Sequence, residues 1–110
     1  MQVSVEKIAA YTFVRLSGDV DLQHSPTARE QILKQINAND KVMVDLSAVS
    51  YIDSSGIASL VEGLQLAKKQ NHEFGLIGVS KPVFQVLQLA RLDTVFTIYD
   101  SPEQLPGNSP

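Results

Sequence analysis

The sequence predicts a single α/β domain whose mixed sheet of about five strands is flanked by about four helices. Segments rich in β-branched and aromatic residues alternate with segments whose apolar residues recur at helical spacing. The segments follow in the order strand, strand, helix, strand, helix, strand, helix, strand. Right-handed crossovers would make most of the sheet parallel, and the opening hairpin would add an antiparallel strand.

The hairpin is predicted from the first twenty residues. Residues 3–8 and 11–17 have strand-like apolar patterns, and the short connection at Ala9 and Ala10 favours antiparallel pairing. The polar run at residues 18–21 is predicted to end the second strand.

The middle of the chain predicts a helix and then a buried strand. Ser25 followed by Pro26 has the pattern of an N-cap and a first helical residue, and residues 37–40 end that helix. Residues 42–46 are nearly continuous apolar sequence, which is typical of a strand covered on both faces. Residues 47–52 are predicted to be a polar loop.

The second half repeats the strand–helix pattern and ends in a proline-rich tail. The clearest helical stripe lies in residues 57–70, and a strand is predicted at 74–79. A third helix at residues 80–90 begins with Ser-Lys-Pro, and a last strand is predicted at 94–99. We expect the domain to span residues 1–104 and residues 105–110 to be a disordered tail.

Composition excludes several classes of function. The 110 residues carry a formal charge of −3 and no cysteine, so disulfides and thiolate metal sites are excluded. The sequence has no basic patch for nucleic acid and no apolar run long enough to span a bilayer. The first residues resemble no targeting signal, so we expect a soluble cytoplasmic protein without membrane insertion.

The candidate site is the run Asp-Ser-Ser-Gly at residues 53–56, where a strand and loop lead into a helix. One interpretation is structural, with Ser54 or Ser55 as the N-cap and Asp53 as an additional cap. The other is functional, because a helix N-terminus tolerates a phosphate on a nearby hydroxyl. Gly56 fits both, either by letting a partner approach closely or by satisfying a loop conformation. The residues alone leave both interpretations open.

Other chemistries fit less well. A serine hydrolase needs a base and a nucleophile elbow, and the surroundings of the two serines are not that motif. Asp19, Asp21 and His24 match no standard metal site, and the sequence has no phosphate-binding loop of the nucleotide hydrolases. We therefore predict no metal, no cofactor and no enzymatic activity.

Three segments resemble the STAS domain family of anti-sigma factor antagonists, over roughly residues 3–104. The most specific is residues 44–57, Val-Asp-Leu-Ser-Ala-Val-Ser-Tyr-Ile-Asp-Ser-Ser-Gly-Ile. Residues 18–21, Gly-Asp-Val-Asp, resemble a second family motif, and residues 79–100 resemble its C-terminal third. The resemblance implies a mixed sheet packed against helices, without catalytic activity.

The resemblance also implies a switch. It makes Ser55 the residue phosphorylated by a partner anti-sigma serine kinase of the GHKL type, and a phosphatase would reverse the modification. In that family the unphosphorylated form binds the kinase and frees a sigma factor, so the protein would regulate bacterial transcription. The residues expected at the partner interface are Asp21, Asp53, Ser54, Gly56 and Ile57.

The family also allows an alternative. Related stand-alone domains serve as cytoplasmic subunits of lipid-transporting ABC permeases, where docking does not need phosphorylation. The chain departs from the common family pattern at Arg91, where many members have glycine, and in the loop at residues 22–26. Both departures concern the expected docking surface, so the resemblance leaves the partner open.

Overall fold

The computed structural model describes residues 1–107 and confirms the predicted fold class. Five strands form one sheet in the order β1-β2-β3-β4-β5, with β1 antiparallel to β2 and every other neighbouring pair parallel. The elements are β1 (Gln2–Ile8), β2 (Tyr11–Val20), α1 (Ser25–Ala38), β3 (Lys41–Ile52), α2 (Ser54–Gln70), β4 (Glu73–Ile77), α3 (Lys81–Leu89), β5 (Ile98–Tyr99) and a 3₁₀ turn (Pro102–Gln104).

The main core lies between the sheet and the three helices. Val42, Val44 and Leu46 alternate along β3 and are fully buried on the helix-covered face. Ile32 of α1 and Leu87 of α3 belong to the same cluster. Each such side chain contributes about 1.5–3 kcal/mol of hydrophobic stabilisation, so this face holds the helices in place.

The opposite face of the sheet is covered by the C-terminal segment. Leu105 is buried there with Tyr11, Phe13 and Met43. The Tyr11 hydroxyl also donates a hydrogen bond of 2.9 Å to the carbonyl oxygen of Pro106. Residues 105–107 of the predicted tail therefore include a packed segment, and residues 108–110 lie outside the described residues.

Two strands are longer than predicted, and both corrections concern the candidate site. The predicted end of β2 at residues 18–21 was wrong, because β2 continues to Val20. The predicted loop at residues 47–52 was also wrong, because β3 continues to Ile52. Pairing between β2 and β3 shifts register twice in this region, and Gly18 has a φ of 80°. These bulges interrupt the alternation from which a strand is recognised.

Smaller corrections affect helix and strand ends. The N-cap of α1 is His24, because the carbonyl oxygen of Asp21 accepts the N–H of Ser25 at 2.7 Å and closes the turn before the helix. The last strand contains only Ile98 and Tyr99, preceded by a turn. Arg91, just after α3, has a φ of 60°, a conformation that favours glycine at a helix end.

Candidate functional site

The site lies where β3 ends and α2 begins, and Asp53 organises it. Asp53 is the N-cap of α2. Its Oδ1 accepts the backbone N–H of Ser55 at 2.9 Å and that of Gly56 at 3.2 Å. The predicted choice of Ser54 or Ser55 as the cap was therefore wrong, because the strand ends in an extended conformation that places the Asp53 carboxylate over the first turn.

The two serines differ in their surroundings. Ser54 is exposed, whereas Ser55 is partly buried. The Ser55 hydroxyl donates a hydrogen bond of 2.5 Å to Asp53 Oδ1, the same oxygen that caps the helix. A charge-assisted bond of this length fixes the direction of the hydroxyl. Ser55 therefore presents an oriented hydroxyl at the positive end of the α2 dipole.

The turn between β2 and α1 lies against the same carboxylate. Asp53 Oδ2 accepts the backbone N–H of Leu22 at 3.0 Å. Asp21 closes the turn, because its Oδ1 accepts the backbone N–H of His24 at 3.1 Å and contacts the His24 Nδ1 at 2.7 Å. The structure thus brings Asp21 and Asp53 to one edge of the sheet, as the sequence predicted.

Hydrogen bonds lower the pKa of both carboxyl groups. The bond from the Ser55 hydroxyl lowers the pKa of Asp53 below its ordinary value, and backbone N–H groups reinforce this effect against partial desolvation. Desolvation raises the pKa of Asp21, but the hydrogen bonds from His24 outweigh it and hold that pKa below its ordinary value. Asp21 and Asp53 are therefore both negatively charged at neutral pH.

Gly56 and Ile57 are buried, so neither offers much surface to a partner. An ideal Cβ on Gly56 would lie 2.6 Å from the Val20 carbonyl oxygen, which is closer than real Cβ atoms come to such a neighbour. The glycine therefore allows α2 to begin directly against β2. The predicted loop conformation of Gly56 is wrong, because Gly56 lies in the first turn of α2. Contact of its backbone with a partner stays a prediction.

Sequence reasoning missed two exposed apolar side chains beside the acids. The Leu22 side chain is 76% exposed and Tyr51, near the end of β3, is 51% exposed. Tyr51 is paired with Asp19 across the two strands. An apolar residue in the predicted turn was the available signal for Leu22, but only the structure shows that its backbone is bonded to Asp53.

At this site, the histidine and the Ser55 hydroxyl belong to two separate hydrogen-bonded pairs. The imidazole of His24 is paired with Asp21, while the Ser55 hydroxyl is paired with Asp53. No group of three or more His, Cys, Asp or Glu side chains among residues 1–107 is placed to hold a metal ion. Within the same residues, no helix is long and apolar enough to cross a membrane.

Acid is expected to remove the stability that Asp53 gives to α2. Because the folded pKa lies below that of the unfolded chain, this contribution is complete above about pH 4 and is lost as the pH falls through the folded pKa. Urea unfolding of the wild type and Asp53→Asn from about pH 6 to about pH 3 should give a flatter pH dependence for the variant. Parallel curves over that range would contradict the role of the Asp53 carboxylate.

The sequence matches a protein-family model and resembles two proteins of known role. A family model described as the STAS domain matches residues 2–105. The anti-sigma F factor antagonist of Paenibacillus polymyxa is 26% identical over 103 residues, covering 92% of this chain and 88% of that protein. The intermembrane phospholipid transport system binding protein MlaB of Escherichia coli strain K12 is 36% identical over 80 residues, covering 70% of this chain and 77% of that protein.

A solved structure confirms the architecture. SpoIIAA of Bacillus in its phosphorylated form has a TM-score of 0.73 at 19% identity, with coverage of 94% of this chain and 95% of that one. At this identity the likeness shows the fold alone.

Proposed function

The chain belongs to the STAS domain family, and we propose that it is an anti-sigma factor antagonist switched by phosphorylation of Ser55. The observation that carries the proposal is the oriented Ser55 hydroxyl, held 2.5 Å from Asp53 at the start of α2. The anti-sigma factor antagonist of Paenibacillus polymyxa supports the class. SpoIIAA, which has the same fold, exists in a phosphorylated form.

The proposed modification needs a partner serine kinase of the GHKL type and ATP. The Ser55 Oγ attacks the γ-phosphorus of ATP, the Oγ–P bond forms, and the bond from that phosphorus to the bridging oxygen of ADP breaks. The hydroxyl proton passes to a base of the kinase. A phosphatase restores the hydroxyl by hydrolysing the ester to serine and inorganic phosphate. The protein itself is regulatory and acts in the bacterial cytoplasm.

The proposed docking surface is defined by Asp21, Leu22, Asp53, Ser54 and Ser55. Leu22 and Ser54 are exposed, and the other three are partly buried. A phosphate on Ser55 would add nearly two negative charges and a bulky group to the middle of this surface. Such a group blocks close contact with a partner and leaves the core untouched. Gly56 and Ile57 act in this proposal by fixing the position of Ser55 from beneath.

Variants of the two serines test the acceptor. We expect Ser55→Ala to take up no phosphate in the native cell and to keep partner binding, whereas Ser54→Ala should still be phosphorylated. Ser55→Asp should weaken partner binding more than about tenfold, because it places a charge at the contact. Intact-mass measurement and quantitative co-purification provide the readouts. Phosphate found on Ser54 of the Ser55→Ala protein would show that the acceptor assignment is wrong.

A second candidate function is favoured by the 36% identity to MlaB. In that case the chain would be the cytoplasmic subunit of a lipid-transporting ABC permease and would dock without phosphorylation. Affinity purification from the native cell separates the two candidates. A GHKL-type kinase that co-purifies supports the first, and a membrane permease that co-purifies with both the wild type and Ser55→Ala, neither carrying phosphate, supports the second.

A further inference from the structure

The two carboxylate oxygens of Asp53 bond to different parts of the molecule. Oδ1 accepts the Ser55 hydroxyl at 2.5 Å and the N–H groups that begin α2. Oδ2 accepts the N–H of Leu22, in the turn between β2 and α1, at 3.0 Å. One side chain therefore joins the phosphate acceptor to a turn that is 31 residues away in sequence.

The turn does not need this bond to close. The carbonyl oxygen of Asp21 accepts the N–H groups of His24 at 3.1 Å and Ser25 at 2.7 Å, and Asp21 Oδ1 accepts that of His24 as well. The N–H of Leu22 instead points to Asp53 and ties the turn to α2. The Leu22 side chain, at 76% exposure, projects from this tied position.

We infer that Asp53 is a positioning residue that couples the state of Ser55 to the 21–24 turn, so that Leu22 is held in its binding position only while Ser55 is unphosphorylated. The inference rests on the proposed function, since it assumes that Ser55 is the residue modified. Leu22 is then an additional apolar contact residue of the docking surface. Its hydrogen bond to Asp53 is the one that phosphorylation of Ser55 would break.

The physical reason is competition for the same donors. A phosphoserine Oγ has no hydrogen to donate, and its dianion is repelled by the Asp53 carboxylate close beside it. Phosphate oxygens also accept backbone N–H groups at a helix N-terminus, so they replace Asp53 as the cap. Once Asp53 turns away, the backbone N–H of Leu22 loses its acceptor. That N–H then donates its hydrogen bond to water instead. The turn keeps its own hydrogen bonds, so the change is local.

The amide of Leu22 provides a direct readout that needs no partner. We would compare ¹⁵N–¹H spectra and amide hydrogen exchange of the full chain for the wild type and four variants: Ser55→Glu, Ser55→Ala, Ser54→Glu and Asp53→Asn. Ser55→Glu imitates the phosphate charge, and Ser54→Glu is its matched control on the neighbouring exposed residue. Asp53→Asn keeps an amide oxygen that can cap α2 and leaves an NH₂ group facing Leu22, which cannot accept its N–H.

We expect Ser55→Glu and Asp53→Asn to shift the amide resonance of Leu22. Hydrogen exchange at this amide should become roughly three- to tenfold faster, because the amide loses one hydrogen bond. Ser55→Ala and Ser54→Glu should leave that amide close to its wild-type values. In binding assays Asp53→Asn should weaken the partner contact although Ser55 is unphosphorylated.

A Leu22 amide that responds no more to Ser55→Glu than to Ser54→Glu would overturn the coupling and leave phosphorylation of Ser55 standing. An unchanged Leu22 amide in Asp53→Asn would overturn it as well. Failure of the proposed function would be seen separately, as absence of phosphate on Ser55 in the native cell, because the spectra do not depend on the kinase.

Discussion

Replacing Leu105 by alanine is expected to destabilise the domain by about 2–5 kcal/mol, the usual cost of a cavity left by a buried leucine. Leu105 is only 2% exposed and lies against Tyr11, Phe13 and Ile77 on the face of the sheet opposite the helices. Its removal would open this cluster to water. Equilibrium unfolding in urea, followed by circular dichroism, measures the loss.

The matched control is Leu89→Ala. Leu89, the last residue of α3, is 86% exposed, so the same truncation should change the free energy of unfolding by no more than about 0.5 kcal/mol. If the two variants lose equal stability, the C-terminal segment does not cover the sheet. The pair also tests whether the domain extends past residue 104, where the sequence placed its end.

The packing of Leu105 illustrates a limit of reasoning from sequence. Prolines at 102 and 106 and a glycine at 107 have the composition of a disordered tail. The alternation at Tyr11 and Phe13 does predict that they share a face of the sheet. It does not say what covers that face, because the covering segment lies more than ninety residues further along the chain.

The strand–helix order and the helical stripes were predictable, because each follows from local periodicity. The end of β3 was not. Val49 and Ile52 are buried, but Ser50 and Tyr51 lie between them and the pairing with β2 shifts register. A loop and a bulged strand have the same local sequence pattern here, and only pairing with β2 separates them.

The candidate site was likewise predictable only in part. Spacing predicts a capped helix start in residues 53–56, but three neighbouring residues can all act as caps. The cap is Asp53 because β3 stays extended to its end and sets that carboxylate over the N–H groups of Ser55 and Gly56. The preference for Ser55 over Ser54 as acceptor came from family resemblance. The structure adds that their exposure and hydrogen bonds differ, which spacing cannot reveal.

Gly56→Ala is expected to lower the free energy of unfolding by about 1–3 kcal/mol, the usual cost of overpacking. The new Cβ would lie 2.5 Å from Ile52 Cγ1 and 2.6 Å from the Val20 carbonyl oxygen. That oxygen accepts the backbone N–H of Asp53 at 3.3 Å. Because backbone cannot yield as a side chain can, α2 must move away from β2 and carry Ser55 with it. Urea unfolding measures the loss of stability.

Gly63→Ala is the matched control, in the same helix. Its Cβ would meet side-chain atoms, Ile32 Cγ2 at 2.8 Å and Phe74 Cζ at 3.1 Å, and no backbone atom is among its three nearest neighbours. Gly63 lies in the helix interior, where the substitution gains about 1 kcal/mol of helix propensity, whereas Gly56 in the first turn gains less. Gly56→Ala should therefore be the more damaging variant and should also shift the amide resonances of Asp53 and Ser55. Equal stability of the two proteins would mean that α2 does not begin in direct contact with β2, and that Ser55 owes its position to Asp53 alone.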